Sequence, residues 1–161
     1  MQDSERPVGW AIVGIGGLSM GQILPGFAQC KHSKVVALVS GSPDKAKQNA
    51  VRYGVPESSI YNYQNFDTIK DNPAIEPVYS VLPPRMHAEY TIRAAQAGKH
   101  VLCEKPMANT AKDCVQMIAA CKKANVKLMV AYRCRYEPYN IAAIAACRDP
   151  RFGKIKSVIA D

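Results

Sequence analysis

Glu104, Lys105 and Pro106 put a carboxylate, an amine and a rigid ring in succession just after a short apolar run, Lys99 to Cys103. An amine at a strand end can hydrogen-bond a substrate hydroxyl and help move its proton, provided that burial or a nearby positive charge lowers its pKa. Glu104 would orient Lys105, and Pro106 would fix the turn, X-Pro being the bond that tolerates cis at small cost. Taken alone, the three residues read better as an exposed ion pair at a helix-entry turn.

A second group stands near the start. Trp10 to Val13 is apolar throughout, and Gly14, Gly16 and Gly17 follow at close spacing, then Leu18, Ser19 and a helical pattern. A run apolar on both faces suits a strand buried between two layers. Glycines let the backbone turn and approach a bulky anion, and a helix beginning near Ser19 or Met20 would aim free N–H groups at it. Strand, glycine turn and helix in that order make a dinucleotide phosphate site. The pattern is imperfect, because Ser19 stands where the third glycine belongs. A structural glycine turn is the alternative.

The end of the second apolar run, Lys34 to Ser40, bears on which dinucleotide. An NAD site places Asp or Glu there to accept from the ribose hydroxyls. Here Ser40, Gly41 and Ser42 stand instead, with Lys45 one helical turn on. Hydroxyls and an ammonium would hold a ribose 2′-phosphate by charge-assisted hydrogen bonds, so NADP(H) is expected over NAD. A Ser-Pro helix cap beside a solvated lysine is the alternative.

Three further residues join the candidate cofactor contacts. Leu82 ends the buried run that starts at Pro77, His87 follows Pro83 at the start of a helix, and Arg133 follows the last inner strand. His87 would cap the pocket or touch nicotinamide, and Arg133 would reach a cofactor or substrate oxygen. A buried helix histidine and a surface arginine are the ordinary readings.

These residues need elements to hold them. Apolar runs and helical patterns alternate about six times along the chain, which predicts an α/β fold of the Rossmann type, a doubly wound, mainly parallel sheet with helices on both faces. Helices are expected over Gly21 to Gln29, Asp44 to Tyr53, Met86 to Ala97, Asn109 or Thr110 to Asn125, and Pro138 to Cys147. Lys154 to Ala160 alternates like a further strand.

The 161 residues suffice for one domain with a core, and the apolar share of 48% with a charged share of 21% is ordinary for a globular protein. No run approaches a membrane span, and Met1 to Pro7 lacks a basic segment followed by an apolar one, so a cytoplasmic chain is expected. The net charge of +8 is spread along the chain, without the basic stripe or helix-turn-helix spacing of a nucleic-acid protein. The six cysteines form no C-x-x-C pair and have no histidine at ligand spacing, so no metal site is expected, and free thiols fit a reducing compartment.

The combination resembles the N-terminal half of the Gfo/Idh/MocA oxidoreductases, among them the glucose–fructose oxidoreductases. It is carried by Ala11 to Gly16, Gln22 to Phe27, Ala37 to Gly41, the run from His87 through Ala97 to Ala108, and Tyr132 to Cys134. The resemblance implies NADP(H) as cofactor and hydride transfer between nicotinamide and a sugar or polyol carbon. It makes Lys105 the catalytic lysine beside the reacting carbon, Ser40 and Lys45 the 2′-phosphate contacts, and Arg133 a cofactor contact.

Two departures stand out. Where the family has Asn or Thr after the proline, this chain has Pro84 and then Arg85, which removes a polar contact and one backbone donor. The chain also stops at Asp161, where the family's second α/β domain would begin. The expected division is therefore a tail over 1–7, an NADP-binding domain over 8–153, and the first strand of a further domain over 154–161. Cofactor binding without turnover is expected of such a chain, with a sugar substrate only in a full-length context. The rival reading is a self-associating module, a homodimer in which an exposed sheet edge or apolar face is covered.

Overall fold

The computed structural model describes residues 6–159. The chain divides into two compact units, one through Ala131 and one from Tyr132.

The first unit is built on a six-stranded sheet. Its strands are β1 Val8–Val13, β2 Ser33–Val39, β3 Ile60–Tyr61, β4 Pro77–Ser80, β5 His100–Cys103 and β6 Leu128–Val130. They lie in the order β3-β2-β1-β4-β5-β6, and every pairing is parallel. The order reverses direction between β1 and β4, which opens a crevice beyond the carboxyl ends of these two strands.

Alternation along β1 divides the core. Ala11 and Val13 face one layer with Val39, Phe66, Ile69, Tyr90, Ala94 and Met117. Ile12 faces the other, with Leu24, Leu38, Ala50 and Tyr79. Each face is thus covered by its own helices, α1 Leu24–Phe27 and α2 Pro43–Tyr53 on one side, α3 Pro84–Gln96 and α4 Ala111–Lys123 on the other. This is the doubly wound architecture expected from the alternating runs.

Local chemistry sets the helix ends. Pro43 and Pro84 each occupy a first helical position, where the missing N–H had no partner to lose. Thr110 caps α4 by accepting from the Asp113 N–H at 3.1 Å, while its own hydroxyl donates to the Asp113 carboxylate at 2.8 Å. Gly98, at φ +72°, stops the chain after α3 in a conformation that disfavours any side chain.

One expectation is refined and one corrected. The helix after the glycine turn starts at residue 17, close to the expected Ser19, and its middle is a π turn, Ser19–Ile23, in which the Leu24 N–H donates to Ser19 O. Pro25 explains the wide turn: it has no N–H for the usual α-helical bond, and the preceding turn expands around it. Residues 154–159 form no strand, since no ladder partner pairs with them; Ala160 lies outside the described residues.

The second unit contains the 3-10 turn Arg133–Tyr136 and α5 Pro138–Arg148. Glu137 caps α5 by accepting from the Asn140 N–H at 2.9 Å, and Asn140 Nδ2 donates to Cys134 O at 2.9 Å. Among the described residues no helix is long and apolar enough to cross a membrane, and no cluster of histidine, cysteine and acidic residues is placed to hold a metal.

Candidate functional site

Parallel strands deliver their following turns to one end of the sheet. The turns after β1, β2, β4 and β5 therefore stand side by side and carry most of the residues singled out from the sequence.

The turn after β1 hangs between its neighbours. Gly14 N–H donates to Val39 O at 2.9 Å, and Val81 N–H donates to Val13 O at 2.8 Å. Gly14 sits at φ +94°, and a Cβ there would lie 2.6 Å from Val81 O and 3.0 Å from Leu82 Cδ2. Neither the backbone nor the space admits a side chain. Gly16 and Gly17 differ: both are exposed, and a Cβ added at either meets nothing within 4 Å. No protein atom fills the space beside them, so the backbone there is open to solvent and to close approach. The buried Ser19 hydroxyl donates back to Gly14 O and closes the turn from behind, while Leu18 is exposed beside it.

The turn after β2 is braced on its outer side. Ser40 is buried, and its Oγ accepts from the Ser42 N–H at 3.0 Å, so this hydroxyl shapes the turn and keeps its proton to donate. Gly41 lies against the Tyr63 ring, where a Cβ would come within 2.9 Å of Cε2. Burial pushes the Tyr63 phenol up, partly offset by a hydrogen bond from the Gly41 backbone. Lys45 is exposed in the first turn of α2, next to Asp44.

The turn after β5 carries Glu104, Lys105 and Pro106. The Lys105–Pro106 peptide is cis. Lys105 is exposed and Glu104 is half-buried. Glu104 does not pair with the Lys105 amine: its Oε1 accepts from the Tyr79 hydroxyl at 2.6 Å and its Oε2 from the Lys105 backbone N–H at 3.1 Å. Burial and the Glu104 carboxylate together hold the Tyr79 phenol well above its usual range, so it stays a donor. Cys103, directly before, is buried, which pushes its thiol up to about 12 and leaves it inert as a nucleophile at neutral pH.

His87 is buried, with Nε2 at 2.7 Å from Leu82 O and Nδ1 at 2.9 Å from Pro106 O. It stands beneath the turns after β4 and β5 and presents no free nitrogen to the crevice. Arg133 belongs to the second unit and is exposed in its 3-10 turn.

Gly14, Gly16, Gly17, Leu18, Ser19, Ser40, Gly41, Lys45, Leu82, His87, Glu104 and Lys105 thus all belong to the first unit, on or behind the turns at one end of its sheet. Tyr79 and Tyr63 were not singled out from the sequence. A signal for Tyr79 existed in the register: Tyr79 pairs with Leu102, and Glu104, two residues on, points to the same face. Tyr63 lies beyond the two-residue strand β3, and no local pattern ties it to Gly41.

Comparison with known proteins agrees with this geometry. Over 90% of its length the chain superposes on the aldose-aldose oxidoreductase of Caulobacter crescentus, with TM-score 0.88 and 52% identity, covering 43% of that chain. KijD10, a 3-ketoreductase from Actinomadura kijaniata solved with NADP, matches over 88% of this chain and 44% of its own, with TM-score 0.78 and 25% identity. The dTDP-3,4-didehydro-2,6-dideoxy-alpha-D-glucose 3-reductase of Saccharopolyspora spinosa is 33% identical over 128 residues, 80% of this chain and 37% of that protein. The chain therefore spans less than half the length of these relatives. Residues 8–132 match the family described as "Oxidoreductase family, NAD-binding Rossmann fold", and the chain belongs to that Gfo/Idh/MocA family.

Proposed function

We propose that this chain binds NADP(H) across the crevice between β1 and β4, as the cofactor-binding part of a sugar oxidoreductase. The carrying observation is the cradle at Gly16 and Gly17, open where a Cβ would find nothing and backed by a Gly14 that admits no Cβ at all. Backbone amides there would bind the pyrophosphate. The Ser40 hydroxyl proton, Ser42 and the Lys45 ammonium would receive the ribose 2′-phosphate. The relative solved with NADP and the sugar-acting names of the relatives support the same reading.

When bound, the nicotinamide supplies the site that accepts or donates a hydride. Its half would lie over the turns after β4 and β5, beside Lys105. The Lys105 amine would then hydrogen-bond the reacting hydroxyl or carbonyl oxygen and exchange its proton. Glu104, tied to Tyr79 and to the Lys105 backbone, would hold the turn and not act as the proton carrier. Lys105 is exposed, so the walls that would orient a sugar against it are not supplied by the turns described. These 161 residues alone are expected to bind cofactor without measurable turnover.

Titration of the chain with NADP⁺ and NAD⁺ by calorimetry tests the reading. NADP⁺ is expected to bind at least about tenfold more tightly, the worth of one charge-assisted contact. Equal and very weak binding of both would overturn it.

One observation favours self-association as a second property. Val115 and Ile118 are exposed along α4, where Ile118 lines a groove of about 330 Å³ with Met107, Cys121 and Leu128. A second copy would cover it, and sedimentation equilibrium showing only monomer at high concentration would dispose of this.

A further inference from the structure

Leu82 and Pro106 belong to different turns, and each offers a backbone carbonyl to the same imidazole. Leu82 follows β4, where its side chain also abuts Gly14; Pro106 follows β5, next to Lys105. Between them lies His87, 1% exposed, with Nε2 at 2.7 Å from Leu82 O and Nδ1 at 2.9 Å from Pro106 O. Both carbonyls are acceptors and a neutral imidazole has a single N–H, so the ring donates to both only with a proton on each nitrogen; in either neutral tautomer it donates to one carbonyl and lies against the other. The ring is carried by the first turn of α3, which Pro83 and Pro84 set in place. A buried, doubly engaged side chain on a helix fixes the spacing of what it touches far better than two loops could fix it themselves.

We infer that His87 is a positioning residue: it staples the turn after β4 to the turn after β5 and so holds Lys105 at the nicotinamide end of the crevice, without touching the cofactor. This rests on the NADP(H) reading above. The division of labour follows from the strand order, since the adenosine half is served by the turns after β1 and β2 and the other half by those His87 joins. Loss of the staple therefore acts on one end of the ligand. Ordinary destabilisation would act on both.

The test compares two probes, NADP⁺ and 2′,5′-ADP, the latter being the adenosine end with its extra phosphate. Their dissociation constants are measured on the full chain, on H87F, which keeps the ring volume without donors, and on H87Q, whose amide can reach only one carbonyl. The ratio of the NADP⁺ constant to the 2′,5′-ADP constant is expected to rise about tenfold in H87F, which has no donor, and less, about threefold, in H87Q, which keeps one. If H87F does not fold, as judged by circular dichroism, H87Q carries the test alone. A ratio within twofold of the wild-type value in the folded variants overturns the staple while leaving the cofactor reading intact. Wild-type chain that binds neither probe overturns both.

Discussion

The Tyr79 hydroxyl donates to Glu104 Oε1 at 2.6 Å, across the junction of β4 and β5. The same carboxylate accepts from the Lys105 backbone N–H through Oε2, so one side chain spans a core strand and the turn that carries the amine. The phenol is buried and its acceptor is a carboxyl oxygen; hydrogen bonds to carboxylates are about twice as strong as neutral ones. Y79F is expected to lower unfolding free energy by about 1–2 kcal/mol in urea denaturation. In a double-mutant cycle with E104A, which removes the acceptor, most of that loss should appear as coupling. Additive effects would show that the contact contributes nothing.

The glycines of the first turn should separate folding from binding. G14A places a side chain at φ +94° and 2.6 Å from a backbone oxygen, and is expected to cost at least about 2 kcal/mol of stability. G16A and G17A meet nothing within 4 Å. Their thermal midpoints should match wild type, or rise slightly at Gly17, which is already helical. Their affinity for NADP⁺ should fall at least about tenfold, because the methyl group occupies the space a phosphate needs. Unchanged affinity in G16A and G17A would remove the phosphate from this cradle.

Lys45 should govern discrimination more than affinity in general. K45A is expected to weaken NADP⁺ binding about tenfold and to leave NAD⁺ binding within twofold, read by parallel calorimetric titrations. Equal weakening of both would mean that Lys45 acts on something the two cofactors share.

Alkaline pH should destabilise the fold through Cys103. Its thiol is raised from 9.0 to about 12 by burial. The folded state therefore keeps its proton while the unfolded state releases it, so stability is whole below pH 9 and declines as pH rises toward 12. From this group alone the loss at pH 10 is on the order of 1 kcal/mol. Buried Cys121 and Tyr79 shift in the same direction and add to it. C103A should lose less stability than wild type between pH 8 and pH 10 in urea denaturation, by roughly 1 kcal/mol. Parallel profiles would show that Cys103 titrates normally when folded.

The fold was legible because its elements obey local rules. Largely apolar runs marked β1, β2 and β4 as strands, and Thr110 and Gly98 marked helix ends by chemistry that needs no tertiary context. The π turn in the first helix was not legible, because no local propensity announces it. Residues 154–159 show the converse failure: alternation marks a segment suited to a sheet, but a strand exists only where a neighbour supplies its hydrogen bonds.

The candidate site was legible in its glycines and at Lys105, whose types and order along the chain carry the meaning. Its bracing was not. Glu104 reads in sequence as a partner for the neighbouring lysine amine, yet its oxygens are taken by Tyr79 and a backbone N–H. His87 reads as a ligand contact, yet both nitrogens are turned inward to carbonyls. Such partners lie many residues away, and only the parallel register brings them together.

β1 is hydrogen-bonded on both flanks, to β2 and to β4, while each of its faces is roofed by helices. Amide protons of Ala11, Ile12 and Val13 should therefore be among the last in the chain to exchange with deuterated solvent. The cradle at Gly16 is thus moored to one of the most slowly opening parts of the molecule. Fraying of the short outer strands β3 and β6 can come and go without releasing what that cradle holds.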